Sequence, residues 1–209
     1  MKQLQTLGIL GIVIALSAGV LGTNGFSIMS SSTAGHTSIS SGMPMLGHVT
    51  LVVTDAQGHI KEYRQGDNTV VTIGKSCVAA RIFGSTSIAC ASPGTTSYDV
   101  LAVGTGGSPQ TQPATSANRL VTETTSPTQM ARGVANIDTM VDASGATGAI
   151  VTLSKQFTNN AAGTINVNEA GVFNGTTVAS AGMFSAQTFT AIGLNQNDAL
   201  TVTWTVNVG

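Results

Sequence analysis

The chain has 209 residues, of which 8 % are charged, and its formal net charge is -1; an average soluble domain carries roughly 25 % charged residues. That balance leaves no basic stripe for nucleic acid and no acidic run, while an apolar fraction of 42 % is too high for a disordered chain. Thr, Ser and 25 glycines stand in for the missing charge, a composition of strands and turns, and the length suits one domain of about 150 to 170 residues with leading segments.

Lys2 is the only charged residue before Asp55, and Leu7 to Gly22 is an unbroken run of apolar and small residues. A basic start and a core of this length describe a secretory signal peptide, and the run is short for a membrane span of about 20 residues. Small residues at Ser17, Ala18, Gly19, Gly22 and Gly25 offer several cleavage points. A retained hydrophobic helix is the competing reading. Residues 1–25 are thus expected to be a signal peptide or anchor. The product is expected to be secreted or on the cell surface, with membrane contact only through this segment before cleavage.

Residues 26–47 are small, polar and uncharged, as a linker is. They nevertheless hold apolar residues at strand spacing: Phe26 and Ile28 alternate, as do Ile39, Met43 and Met45 with Ser41 between them. Such a strand buries nothing alone but can add to a sheet edge elsewhere.

The folded domain is expected over 48–209. Val49, Leu51 and Val53 alternate with Thr50 and Thr54, Asp55 to Gly58 turns the chain, and His59 to Tyr63 returns as a hairpin partner. Asn68 to Ile73 reads as a third strand. Lys75 to Phe83 is the helix candidate, closed by Gly84. Cys77 lies in that helix and Cys90 in the loop after it. An even count in an exported chain favours a disulfide between them, contributing about 3 kcal/mol by loop closure; two buried thiols are the alternative.

Further strands are expected over Tyr98 to Val103, Arg119 to Thr124, Arg132 to Met140 and Ala149 to Phe157. Two short strands, Gly163 to Val167 and Gly171 to Phe173, are expected to flank an Asn168-Glu169-Ala170 turn, with one or two more between Val178 and Phe189. The clearest element is the last. Leu200, Val202, Trp204, Val206 and Val208 alternate with Thr201, Thr203, Thr205 and Asn207, as in a half-buried strand. Many short strands with turns between them predict a mainly β chain. The expected fold is a single β-sandwich of jelly-roll or immunoglobulin-like kind with one short helix, preceded by a hydrophobic N-terminal helix and an extended linker.

No catalytic, cofactor or metal motif is present. His36, His48 and His59 lack metal-ligand spacing, and the two cysteines lack the close pairing of a zinc site. No GxSxG elbow exists, and Gly104-Thr105-Gly106-Gly107 does not lead into an expected helix, so neither a serine hydrolase nor a phosphate cradle is indicated. Asp55, Asp67, Asp142 and Asp198 sit in turn contexts. Asn174-Gly175-Thr176 is the only Asn-x-Ser/Thr triplet and lies in an expected turn, so Asn174 is a glycosylation candidate. A Lys155, Asn160 and Glu169 crosslink would require the three side chains to be buried together.

The run Ile165 to Asn174 (INVNEAGVFN), then Met183-Phe184, Phe189 and Leu200 to Val206 (LTVTWTV), resembles β domains of structural proteins of archaea and of tailed viruses, and Tyr98 to Gly106 (YDVLAVGTG) adds to this. With the signal-like start and uncharged linker, the chain resembles subunits of archaeal donor-strand pili, the bundling pili and thread filaments that are themselves similar to bacterial biofilm-matrix fibres. The resemblance implies a non-enzymatic subunit of an extracellular filament that serves adhesion or biofilm formation and binds glycans or surfaces. Its chief partner is itself. The N-terminal segment of one copy completes the sheet of the next, with Phe26, Ile28, Ile39 and Met43 as donor-strand candidates; Pro44 cannot donate to a ladder. A virion tail or capsid protein is the first alternative. A monomeric surface adhesin or ligand-binding sandwich is another, although Trp204, Tyr63 and Tyr98 sit in or near strands rather than on loops.

Overall fold

Alternation of β-branched and small polar residues builds most of the elements. The computed structural model describes residues 45–83, 97–108, 111–144, 148–178 and 181–209. The chain forms β1 (Met45–Thr54), β2 (Ile60–Asp67), β3 (Thr69–Val70), α1 (Thr72–Phe83), β4 (Val100–Gly104), β5 (Gly133–Val134), β6 (Asn136–Val141), β7 (Ala149–Thr158), β8 (Ile165–Phe173), β9 (Met183–Leu194) and β10 (Ala199–Val208). Sheet A has the antiparallel order β2-β1-β10-β7-β6, and sheet B the order β3-β9-β8-β4-β5. The inner faces share one core, with Val49, Leu51, Leu153, Phe157 and Trp204 on one side and Leu101, Val103, Val172, Ile192 and Leu194 on the other.

The two-sheet sandwich, the one α-helix among the described residues and the β10 pattern agree with the sequence. Leu200, Val202, Trp204 and Val206 are buried, with Val208 partly buried against the core, while Thr201, Thr203 and Thr205 face outward on sheet A. The β1–β2 hairpin also forms, with β1 beginning at Met45, ahead of the expected His48, and β2 running on to Asp67.

Sheet B is covered on both faces. Its outer side buries Val100, Ala102, Phe173, Met183 and Ala186 together with Val71 and Leu120. That is why every residue of β4 is buried, and why the sequence there is a continuous apolar run rather than an alternating one. Helix α1 supplies part of the cover. Gly74 lets it approach closely, because a Cβ there would collide with the Phe184 backbone.

Five expectations need correction. The one strand expected over Arg132 to Met140 is two, β5 in sheet B and β6 in sheet A, because the chain crosses between the sheets at Ala135, whose N–H bonds Asp99 O. The third strand shrinks to Thr69–Val70, because the Val71 N–H bonds to Phe184 O and the chain enters α1 at Thr72. Arg119 to Thr124 is not a strand. It is part of the cover over sheet B, joined to β4 by one bridge between Gly104 and Glu123. Asn168-Glu169-Ala170 is not a turn: β8 runs through it, with register shifts against β9. Glu169 there is buried, and its carboxylate accepts from the Gly106, Val121 and Thr122 N–H groups at 3.1, 2.9 and 2.8 Å, which fastens the cover to the sheet. The strand sought between Val178 and Phe189 begins at Met183 and continues to Leu194.

The signal or anchor helix (residues 1–25), the donor candidates Phe26, Ile28, Ile39 and Met43, and also His36, Gly84 and Cys90 lie outside the described residues. No helix among the described residues is long and apolar enough to cross a membrane.

Candidate functional site

Where the sandwich meets solvent sideways, it presents two flanks, and they are built differently. One flank lies beside β6. Pairing of β6 to β7 stops at Ser154, and the chain just before β5 fills the space beyond. Met130, in a single 3-10 turn (Thr128–Met130), is fully buried in the core, and Ala135 is buried after it. Arg132 between them points the other way, to the outer face of sheet B, where it is buried, makes a two-nitrogen ion pair with Glu123, donates to Gly175 O at 3.2 Å and lies 3.9 Å above the Phe173 ring. This flank is closed by the molecule's own chain.

Its edge strand, however, is bare. All six residues of β6 are exposed. Ile137 stands opposite Leu153 and Met140 opposite Val151, so both lie on the inner face of sheet A, yet they are 57 % and 71 % exposed. Val141, on the opposite face of β6, and Val134, on the outer face of sheet B, are exposed as well. The only charge on β6 is Asp138, which sits at the bulge between Ile137 and Thr139.

The other flank lies between β2 and β9. Only Ser185 and Ala186 of β9 have β3 beside them, and no described strand lies along the same side of Gln187 to Leu194. A cleft of about 390 Å³ opens there, lined by Val49 and Leu51 of β1, Arg64 of β2, and Gln187, Phe189 and Thr190 of β9. Three of these also belong to the main core. By the register, Val53, Leu51 and Val49 oppose Glu62, Arg64 and Gly66, so the inner face of β2 is an ion pair and a glycine rather than apolar side chains. At Gly66 the Gln187 amide occupies the place a Cβ would take, so a side chain there would displace that amide.

Hydrogen bonding in this flank is incomplete. Gln187 is 8 % exposed and Ser185 fully buried, yet Gln187 Oε1 and Ser185 Oγ have no partner, and neither do both amide atoms of Asn68 in the β2–β3 link. Leaving such groups unpaired costs about 1–3 kcal/mol each. At one position a side chain takes the part of a missing strand: Gln112 Nε2 donates to Thr188 O at 3.2 Å.

The other residues singled out from the sequence do not converge on chemistry. His48 pairs with Asp67 and His59 with Asp55, each at 3.1 Å on the β1–β2 hairpin. The His59 backbone N–H holds the Asp55 carboxyl below its ordinary value, and the turn it closes is local. No group of three His, Cys, Asp or Glu side chains able to hold a metal occurs among the described residues. Cys77 is buried in α1, and no described cysteine is free. Lys155 lies over the Phe157 ring, Asn160 bonds Gln129, and Glu169 bonds the cover, so the crosslink trio has separate partners. Asn174 is buried at 3 % and its Oδ1 accepts from the Gly182 N–H at 2.7 Å, while its own N–H bonds Gly182 O. The folded chain thus withdraws this residue from a glycan, against the expectation of an open turn.

Sequence reasoning missed Gln187, Ser185, Asn68, Ile137 and Met140. The one available signal was the placement of Ser and Gln two apart between Phe184 and Phe189, on a face that should have been apolar. No protein-family model, curated protein or solved structure matches this chain.

Proposed function

We propose that this protein is a secreted structural subunit that polymerises head to tail. Each copy lays a strand from its segment 26–44 into the flank between β2 and β9 of the next. The observation that carries this reading is the side of β9 from Gln187 to Leu194, along which no described strand lies, opening on a cleft floored by core residues and bordered by unpaired polar groups. An added strand would supply ladder partners to β9, put N–H groups within reach of Gln187 Oε1, and seat alternate apolar side chains on Leu51 and Phe189. The donor's composition suits the place: Ser, Thr and Gly dominate it, it carries no Asp, Glu, Lys or Arg, and Phe26, Ile28, Ile39 and Met43 provide the spaced apolar residues. Such a contact is heterologous and does not close, so it propagates as a filament. In this reading Cys77 and Cys90 are bridged, as suits an exported chain, and the protein performs no catalysis.

Cryo-electron microscopy of the purified mature protein tests the proposal. Filaments with density for residues 26–44 of one copy beside β9 of another are expected, and deletion of those residues should abolish them. Dispersed monomers, or filaments in which that flank is unfilled, would overturn it and leave a ligand-binding sandwich as the better account.

A further inference from the structure

Past the end of β3, the edge of β9 is not wholly bare. Phe184 O accepts the Val71 N–H on that side, and Ala186 stands opposite Thr69. By alternation along the strand, Thr188 carries the next backbone pair that faces the edge. Its carbonyl is taken. Gln112 Nε2 donates to Thr188 O at 3.2 Å, and Thr188 Oγ1 donates in turn to Thr111 O at 2.8 Å. The segment Thr111 to Thr115 is thus strapped across the first rung at which an added strand would begin.

Away from the flank the strap is tied down through backbone groups. The Thr111 N–H bonds Ser108 O at 3.1 Å, the Gly107 N–H just before it bonds Asn168 Oδ1 at 2.8 Å, and Thr115 O accepts the Thr72 N–H at 2.7 Å. Against β9 it is tied through the Gln112 and Thr188 side chains, and no ladder joins the two among the described residues. Nor is it built to become a strand, since Pro113 in its middle has no N–H to give. Thr111, Gln112, Ala114 and Thr115 are exposed, so little burial resists its removal.

We propose, resting on the head-to-tail reading, that this strap is an autoinhibitory latch on the strand-accepting flank. It keeps Thr188 O satisfied while a copy is alone, and it swings off when a donor strand brings a backbone N–H to the same oxygen. An edge with free rungs invites any passing strand. A strand that must first displace Gln112 gains only the difference between two similar hydrogen bonds at that rung, so casual pairing is discouraged. A donor that also seats side chains on Leu51 and Phe189 is not stopped.

Filament growth from the dispersed full mature chain, followed by light scattering and checked in electron micrographs, tests the latch. Gln112→Ala removes the capping amide and should speed growth about two- to ten-fold, the worth of one exposed neutral hydrogen bond, with the unfolding midpoint unchanged. Gln112→Glu keeps the size of the side chain but has no N–H to give, so it should speed growth at least as much. Equal growth rates in all three proteins overturn the latch and leave the head-to-tail reading standing. So does a wild-type rate in Gln112→Glu alone, which would make the side chain a packing element, and so does slower growth in Gln112→Ala, which would make Gln112 part of the assembled contact. Absence of filaments from all three proteins fails the head-to-tail reading and the latch with it.

Discussion

Sheet A ends in two strands of similar reach and opposite chemistry. β2 carries Lys61, Glu62, Arg64 and Asp67, with Glu62 and Arg64 turned inward. β6 carries Asp138 alone, with Ile137 and Met140 turned inward and exposed. The spaces beneath them differ in the reverse sense. Under β6 the chain from Thr128 to Ala135 completes the core, and under β2 the cleft reaches Val49, Leu51 and Phe189. One flank therefore has a finished interior and a rim that is apolar but for Asp138 in its bulge, and the other a charged rim over a cleft that reaches core residues. Inward charges on an edge are a known defence against unspecific strand pairing. On β2 they would turn an added strand away from sheet A, whereas no described strand lies beside Gln187 to Leu194 of β9.

The largest expected effect lies in the cover over the outer face of sheet B, against which both flanks can be scaled. Arg132→Ala would leave Glu123 buried and unpaired and should cost about 3–5 kcal/mol in denaturant unfolding. The pair Arg132→Met with Glu123→Leu should recover most of that loss. If the single substitution cost less than 1 kcal/mol, the cover over sheet B would not be held by this ion pair. At the unfinished flank the sign should reverse. Gln187→Leu removes an unpaired buried acceptor and should raise monomer stability by about 1 kcal/mol while weakening assembly. A loss of stability comparable to a core deletion would mean that the amide is already satisfied and the flank needs no guest. The smallest effect on folding is expected from Glu62→Ser with Arg64→Ser. The ion pair is about one-third exposed on each side, so stability should shift by less than about 1 kcal/mol. Non-specific association, read by light scattering, should nonetheless rise. Unchanged scattering would show that these charges do not guard the edge.

Much of the sandwich was legible in the sequence because its central strands obey one rule. β1 and β10 bury one face against the core and leave the other half exposed, so Val49, Leu51, Val53 and Leu200 to Val208 alternate cleanly. β8 broke the rule. Glu169 is a charged residue on a buried strand, satisfied by three backbone N–H groups more than 40 residues earlier in the chain, and no local pattern signals such remote partners. Arg119 to Thr124 was misread for the opposite reason: Leu120 is buried against the face of a sheet rather than within one while Val121 is exposed, and local periodicity does not tell the two arrangements apart. The flanks were illegible altogether. Whether β9 has a neighbour depends on β3 ending after two residues, a consequence of the chain crossing between sheets at Asn68. Whether β6 is bare depends on how far sheet B extends beneath it.

The position of β1 has a mechanical consequence. It lies between β10 and β2, laddered to β10 along its whole length from Met45 opposite Val208 to Thr54 opposite Ala199. A pull entering through the residues before Met45 runs along the axis of β1, while its hydrogen bonds lie across that axis. The load is thus shared by the two ladders at once in shear, and the bonds cannot peel open one after another. A thread built from such subunits should resist tension far better than the modest free energy of any one domain suggests.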